Sequence, residues 1–158
     1  MKRSDNIRTL AIGLGIVAVQ FVLLRHLTIL GAESDLVLLF ILWLCTKRPK
    51  IDCLVYAGML GLLQDSLMDL WGLHMFSKTL VVFMLHDILN RISENRFLTW
   101  QIFLVILAAA FLHNLIFFMV SSFAEVFATG YVGFSLLVIS SGFTAIVGSF
   151  LHLVRVDI

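Results

Sequence analysis

Apolar residues follow one another in long runs along this chain, and short polar stretches separate the runs. The pattern predicts six membrane-spanning helices, at about residues 8–24, 35–46, 51–66, 75–89, 97–120 and 132–154. The second and third runs are short enough to be re-entrant, but Lys47, Arg48 and Lys50 lie between them. Three cations at a hairpin tip cannot lie in hydrocarbon, so we interpret both runs as full spans.

The composition restricts the class of protein further. The chain of 158 residues is 61% hydrophobic and 13% charged, with a mean hydropathy of +1.05. Soluble domains are about 45–50% apolar and about 25% charged. The sequence therefore predicts an all-α integral membrane protein, a six-transmembrane-helix bundle in which residues 1–158 form a single transmembrane domain. No length remains for a separate soluble catalytic domain, and two cysteines do not suggest a disulfide framework.

The positions of the cations predict the orientation of the bundle. With six spans, one side holds nine of the eleven lysines and arginines, namely Lys2, Arg3, Arg8, Lys47, Arg48, Lys50, Arg91, Arg96 and Arg155. The other side holds Arg25 and Lys78. Because cytoplasmic loops carry the excess of cations, we expect both termini to be cytoplasmic.

A glycine and aspartate pattern marks the end of the third predicted span. At 100° per residue, Gly58, Gly61, Asp65, Asp69 and Gly72 fall within roughly 80° of one another on a helix. Acids on one stripe of an apolar helix suggest a face turned toward protein or trapped water. The alternative is that the chain from Asp65 onward is an exit loop and that the glycines only permit close helix packing.

The sixth predicted span is rich in small residues. Ser140, Thr144 and Gly148 are spaced by four, and Ser141 begins a second series with the same spacing. This spacing lets helix backbones approach closely. We favour an internal seam between helices over a homo-oligomer interface.

Candidate chemistry is sparse. Asp65, His74, His113 and Asn114 could share the outer half of the bundle, which makes a metal site or a proton relay conceivable. No two of them have the local spacing of a metal-ligand motif, and no serine or cysteine has an evident base beside it. We therefore expect no catalytic residues, no cofactor and no metal. The basic loops are small, which suits lipid headgroups rather than nucleic acid.

The stretch from residue 58 to residue 80 resembles the rod shape-determining protein MreD family. The family carries a glycine, two residues, a glycine, a short apolar run, an aspartate and then, after about seven residues, Gly-Leu-His. The matching residues here are Gly58, Gly61, Asp65, Gly72, Leu73 and His74. The chain departs from the family at Ser34, where many members have proline, and at Asp69-Leu70-Trp71, where smaller residues are common.

The resemblance implies a component of the bacterial cell-elongation machinery in the inner membrane. Members of the family bind the scaffold protein MreC and are thought to link MreB filaments to the RodA glycosyltransferase and its partner transpeptidase. It also implies a fold similar to the substrate-binding component of energy-coupling-factor transporters, and no catalytic activity.

Two functions follow as hypotheses. The first is a non-enzymatic membrane scaffold in which Gly58 and Gly61 permit a close helix crossing and Asp65 accepts hydrogen bonds. The alternative is a small-molecule-binding membrane component, by analogy of fold alone. The alternative predicts an outer-facing pocket lined by Asp65, Trp71, His74 and His113.

Overall fold

The computed structural model describes residues 2–22, 33–93, 98–123 and 135–156, and every element in these ranges is helical. The elements are α1 (Lys2–Val22), α2 (Leu36–Cys45), α3 (Lys50–Met68), α4 (Leu73–Ser93), α5 (Thr99–Phe123), a π-helical segment (Ser135–Ser140) and α6 (Ser141–Val156). The π-helical segment continues directly into α6. The predicted connections that contain Arg25, Glu94 and Glu125 lie outside the described residues.

Three of these helices are long and apolar enough to cross a membrane, at Asp5–Val22, Lys50–Met68 and Trp100–Phe123. One face of α3 suits contact with lipid, because Ile51, Val55, Met59 and Leu62 recur every three or four residues and are each at least half exposed. The prediction of an all-α integral membrane protein is confirmed. The number of spans and the orientation stay predictions.

Helix α2 lies at the centre of the bundle. Its ten residues extend about 15 Å at 1.5 Å per residue, roughly half of the hydrocarbon thickness of a bilayer. Eight of its ten residues are buried, so its sides are covered by protein. Around it, α3 packs most extensively on α4, and α5 packs on α6. The short helix therefore forms the core on which the longer helices pack.

A side chain caps the amino end of α2. Asp35 is the N-cap, and its Oδ1 accepts a hydrogen bond of 2.8 Å from the backbone N–H of Leu38. A carboxylate suits this position because it pairs with an otherwise unbonded N–H and with the positive end of the helix dipole.

The carboxyl end of α3 corrects the predicted stripe. The helix ends at Met68, Asp69 has a left-handed backbone with φ of 56°, and Gly72 has φ of 81°. Asp69 is exposed and, like Gly72, belongs to the turn into α4. The interpretation of Asp69 and Gly72 as members of one helical stripe is therefore wrong, because the chain leaves the helix before it reaches them.

Candidate functional site

The backbones of α3 and α4 approach each other closely at Gly61. A Cβ atom at Gly61 would lie 2.6 Å from Met75 Cα and 2.8 Å from Met75 N, and neither backbone atom can move aside easily. At Gly58 the nearest atom would be Thr79 Oγ1 at 3.7 Å, an ordinary contact. Both glycines face α4, but only Gly61 has to be glycine for the helices to meet in this way.

Asp65 lies one helical turn after Gly61 in α3 and binds the first turn of α4. One of its carboxylate oxygens accepts a hydrogen bond of 2.8 Å from the backbone N–H of His74, and the other accepts one of 2.9 Å from that of Met75. The first N–H groups of a helix have no partner within the helix, so Asp65 caps α4 from a neighbouring helix. Asp65 lies within α3 and is buried, which excludes the reading of it as part of an exit loop.

Backbone hydrogen bonds also hold the turn between α3 and α4. The N–H of Leu70 donates to the carbonyl of Asp65 at 3.0 Å, and the N–H of Gly72 donates to the carbonyl of Leu70 at 2.7 Å. Leu73 is buried beneath the turn, whereas Trp71 is 97% exposed. The turn therefore presents one large aromatic side chain outward from a fixed backbone.

A buried ion pair joins α4 to the amino end of α2. The ammonium group of Lys78 donates to Asp35 Oδ2 at 2.6 Å and to His74 Nδ1 at 3.3 Å, and Lys78 is fully buried. His113 Nε2 lies 3.9 Å from the same Asp35 oxygen, and the rings of His74 and His113 stack with centroids 6.1 Å apart. The pairing compensates charges that would be very costly to bury alone.

The same end of α2 receives partners from other helices. Gln20 Oε1 on α1 accepts a hydrogen bond of 3.0 Å from the N–H of Val37, so Gln20 joins α1 to α2. Thr144 Oγ1 on α6 accepts one of 3.1 Å from the N–H of Asp35. Together with Lys78, these contacts bring α1, α4 and α6 to one point.

The predicted packing residues of the last span all lie at such internal contacts. Besides Thr144, Ser140 Oγ donates to the carbonyl of Glu33 at 2.6 Å, and Ser141 Oγ accepts from Asn114 Nδ2 at 3.0 Å. A Cβ atom at Gly148 would lie 2.6 Å from Leu39 Cδ2. These positions therefore serve packing within the chain.

Asp35, His74 and His113 also form a group that could hold a metal ion, since their ligand atoms lie within 4.8 Å of one another. However, Lys78 already places a positive charge between Asp35 and His74. A divalent cation would have to displace that ammonium group. The donor set does not fit a metal while Lys78 is in place, and we derive no metal chemistry from it.

The structure distributes the predicted site residues over three environments. The crossing of α3 and α4 brings together Gly61, Asp65 and His74. His113 lies beside His74, in the buried group that also contains Asp35 and Lys78. Trp71 does not share a pocket with them, because almost all of its surface is exposed.

Sequence reasoning missed the pairing of Asp35 with Lys78, which are separated by 43 residues. The available signal was an acid at the start of one predicted span and a lysine at the start of another on the same side of the membrane.

Comparison with known proteins agrees with the resemblance seen at Gly58 to Leu80. A family model described as rod shape-determining protein MreD matches residues 6–153. No curated protein and no solved structure matches the chain, so the likeness to the transporter component stays a prediction. The match covers nearly all of the chain and includes the Gly61 crossing, the Asp65 cap and the buried ion pair. This chain belongs to the rod shape-determining protein MreD family.

Proposed function

We propose that this chain is a non-enzymatic scaffold of the bacterial cell-elongation complex, embedded in the inner membrane by six spans. Membership of a family that determines rod shape supports a role in cell elongation. The contacts of three buried charged groups support the absence of catalysis, because Asp65 caps α4 and Lys78 neutralises Asp35. Each of these groups is accounted for by holding helices together.

The observation that carries the proposal is the hairpin of α3 and α4. Gly61 sets the distance between its helices, and Asp65 fixes the start of α4 through two hydrogen bonds. Trp71 stands at its tip with 97% of its surface exposed. Tryptophan is enriched among the residues that dominate protein interfaces, and a fixed backbone lowers the entropic cost of binding.

The direct partner in this proposal is MreC, and the hairpin tip is the contact surface. RodA, its partner transpeptidase and MreB belong to the wider complex. The contact requires Trp71 itself, whereas Gly61 and Asp65 act by positioning it.

Co-purification with MreC tests the proposal. Wild type, Trp71→Ala, Asp65→Ala and Gly61→Leu are co-expressed with MreC, and Trp100→Ala is the matched control because Trp100 is also exposed, at 58%. We expect Trp71→Ala to reduce recovery of MreC about tenfold or more, as for a central interface residue. Trp100→Ala should leave recovery unchanged.

The variants distinguish the residue that contacts MreC from the residues that position the hairpin tip. Trp71→Ala should keep the thermal stability of wild type, because the side chain contacts little within the chain. Asp65→Ala and Gly61→Leu should lower both stability and recovery. Full recovery of MreC by Trp71→Ala would show that the hairpin tip is not the contact.

A further inference from the structure

A cavity of about 290 Å³ lies between α1, α2 and the loop after α2, at the opposite end of α2 from the buried ion pair. Its lining combines two chemical characters. Arg8, Arg48 and Asp5 form a charged side, and Ile12, Phe40 and Trp43 form an apolar side. The scaffold function does not use this cavity.

The positive charges of the two arginines in the lining are available to an anion. Arg48 is held in place by neutral partners, since its guanidinium group donates to Asn6 Oδ1 at 2.9 Å and to Thr9 Oγ1 at 3.4 Å. Within the described part of the chain, neither Arg8 nor Arg48 forms an ion pair with a carboxylate. Among the described residues of the lining, Asp5 is the one acid beside the two arginines, so these residues together carry a net positive charge.

The apolar side of the cavity is open to the surroundings of the bundle. Ile12 is 45% exposed and Trp43 is 37% exposed, and the ring of Trp43 lies 5.8 Å from that of Phe40. A helical membrane protein exposes such side chains to lipid, and tryptophan is enriched at the level of the headgroups. A charged rim above an apolar wall therefore matches a molecule with an anionic head and an acyl chain.

We propose that this cavity binds an anionic glycerophospholipid with a hydroxyl-bearing headgroup. The phosphate lies between Arg8 and Arg48, which are the cations of the lining. An acyl chain follows Ile12 and Trp43, and a headgroup hydroxyl donates to Asp5. Basic pockets between membrane helices bind anionic headgroups by this combination of charge and apolar contact.

Quenching of Trp43 fluorescence tests the proposal in the purified full-length protein. Trp71→Phe and Trp100→Phe remove the other two tryptophans, so that Trp43 reports alone. The protein is reconstituted with phosphatidylglycerol or phosphatidylcholine brominated near the start of the acyl chain. We expect brominated phosphatidylglycerol to quench Trp43 at a clearly lower mole fraction than brominated phosphatidylcholine does.

Matched charge variants identify the binding groups. Arg8→Gln should weaken the preference for phosphatidylglycerol about fivefold, the effect of one cation near an anionic lipid. Among the described residues, the side chain of Arg8 forms no hydrogen bond that would be lost, so this variant avoids the structural role of Arg48. Lys47 is an exposed cation in the same loop as Arg48, but it does not line the cavity. Lys47→Gln should therefore keep the preference for phosphatidylglycerol.

Three results would overturn the proposal. Equal quenching by both lipids would show that the cavity does not select an anionic headgroup. A preference that survives in Arg8→Gln but is lost in Lys47→Gln would place the lipid elsewhere on the loop. Loss of the preference on addition of millimolar inorganic phosphate would identify a soluble phosphate as the ligand instead.

Discussion

Two glycines of α3 face α4 but meet different neighbours, and this difference is open to measurement. The Cβ atom of an alanine at position 61 would lie 2.6 Å from the backbone of α4, so Gly61→Ala must push the helices apart. We expect a loss of about 1–3 kcal/mol in the free energy of unfolding, as in other overpacked sites.

Gly58→Ala is the matched control for this change. Its Cβ atom would lie 3.7 Å from the nearest neighbour outside α3, and alanine favours a helix more than glycine does. We therefore expect unchanged or slightly higher stability, measured by denaturant unfolding in mixed micelles. Equal losses in the two alanine variants would contradict the close crossing at Gly61.

Substitution of Lys78 tests the contribution of its buried ion pair with Asp35 to stability. Lys78→Met leaves the carboxylate of Asp35 buried without its cation, which costs about 3–5 kcal/mol in comparable buried pairs. The double variant Asp35→Asn, Lys78→Met removes both charges and should recover much of this loss.

The control for this experiment is a second lysine of the chain. Lys50 pairs with Asp87 at 3.0 Å, but both side chains are partly exposed. Lys50→Met should therefore change the midpoint of denaturant unfolding little. A loss in Lys78→Met no larger than in Lys50→Met would show that the ion pair with Asp35 is not important for stability.

At the scale of elements, Asp65 connects α3 to the beginning of α4. Asp65→Ala removes the acceptors of the His74 and Met75 N–H groups, which are then left without partners in the protein. We expect faster hydrogen exchange in peptides that cover residues 70–76, and a loss of about 1–2 kcal/mol, the effect of losing a helix cap.

Ser66→Ala is the control for the hydrogen-exchange experiment. Ser66 follows Asp65 in α3, but its hydroxyl bonds the carbonyl of Leu62 within the same helix. Exchange at residues 70–76 should stay as in wild type. Unchanged exchange in Asp65→Ala would contradict the role of Asp65 as a cap.

The helices also show which features of the fold the sequence pattern predicted. The apolar runs located the helices because a bilayer requires continuous apolar stretches. Helical periodicity correctly placed Gly58, Gly61 and Asp65 on one face. It failed at Asp69 and Gly72 because periodicity contains no information on where a helix ends.

The sequence pattern did not determine which distant segments come into contact. The pairing of Asp35 with Lys78 and the bond between Asp35 and Thr144 depend on how the helices assemble around α2. The left-handed backbone at Asp69 was not signalled either, although aspartate tolerates it better than most residues.

At the scale of the whole molecule, the predicted orientation can be tested with single cysteines. Lys47→Cys lies in the exposed loop between α2 and α3, and Trp71→Cys lies at the exposed tip of the next hairpin. The native Cys45 and Cys53 are buried, so they contribute little background. In intact spheroplasts, we expect a membrane-impermeant thiol reagent to label Trp71→Cys and not Lys47→Cys. The opposite labelling would invert the orientation.

The central claim is that the tip of the α3 and α4 hairpin contacts MreC. Site-specific photocrosslinking tests it most directly, with a benzophenone amino acid at position 71 and, in a separate variant, at position 100. Both positions carry exposed tryptophan, so an aromatic replacement fits both. We expect an adduct with MreC from position 71 and none from position 100. Co-purification of MreC without an adduct at position 71 would contradict the claim.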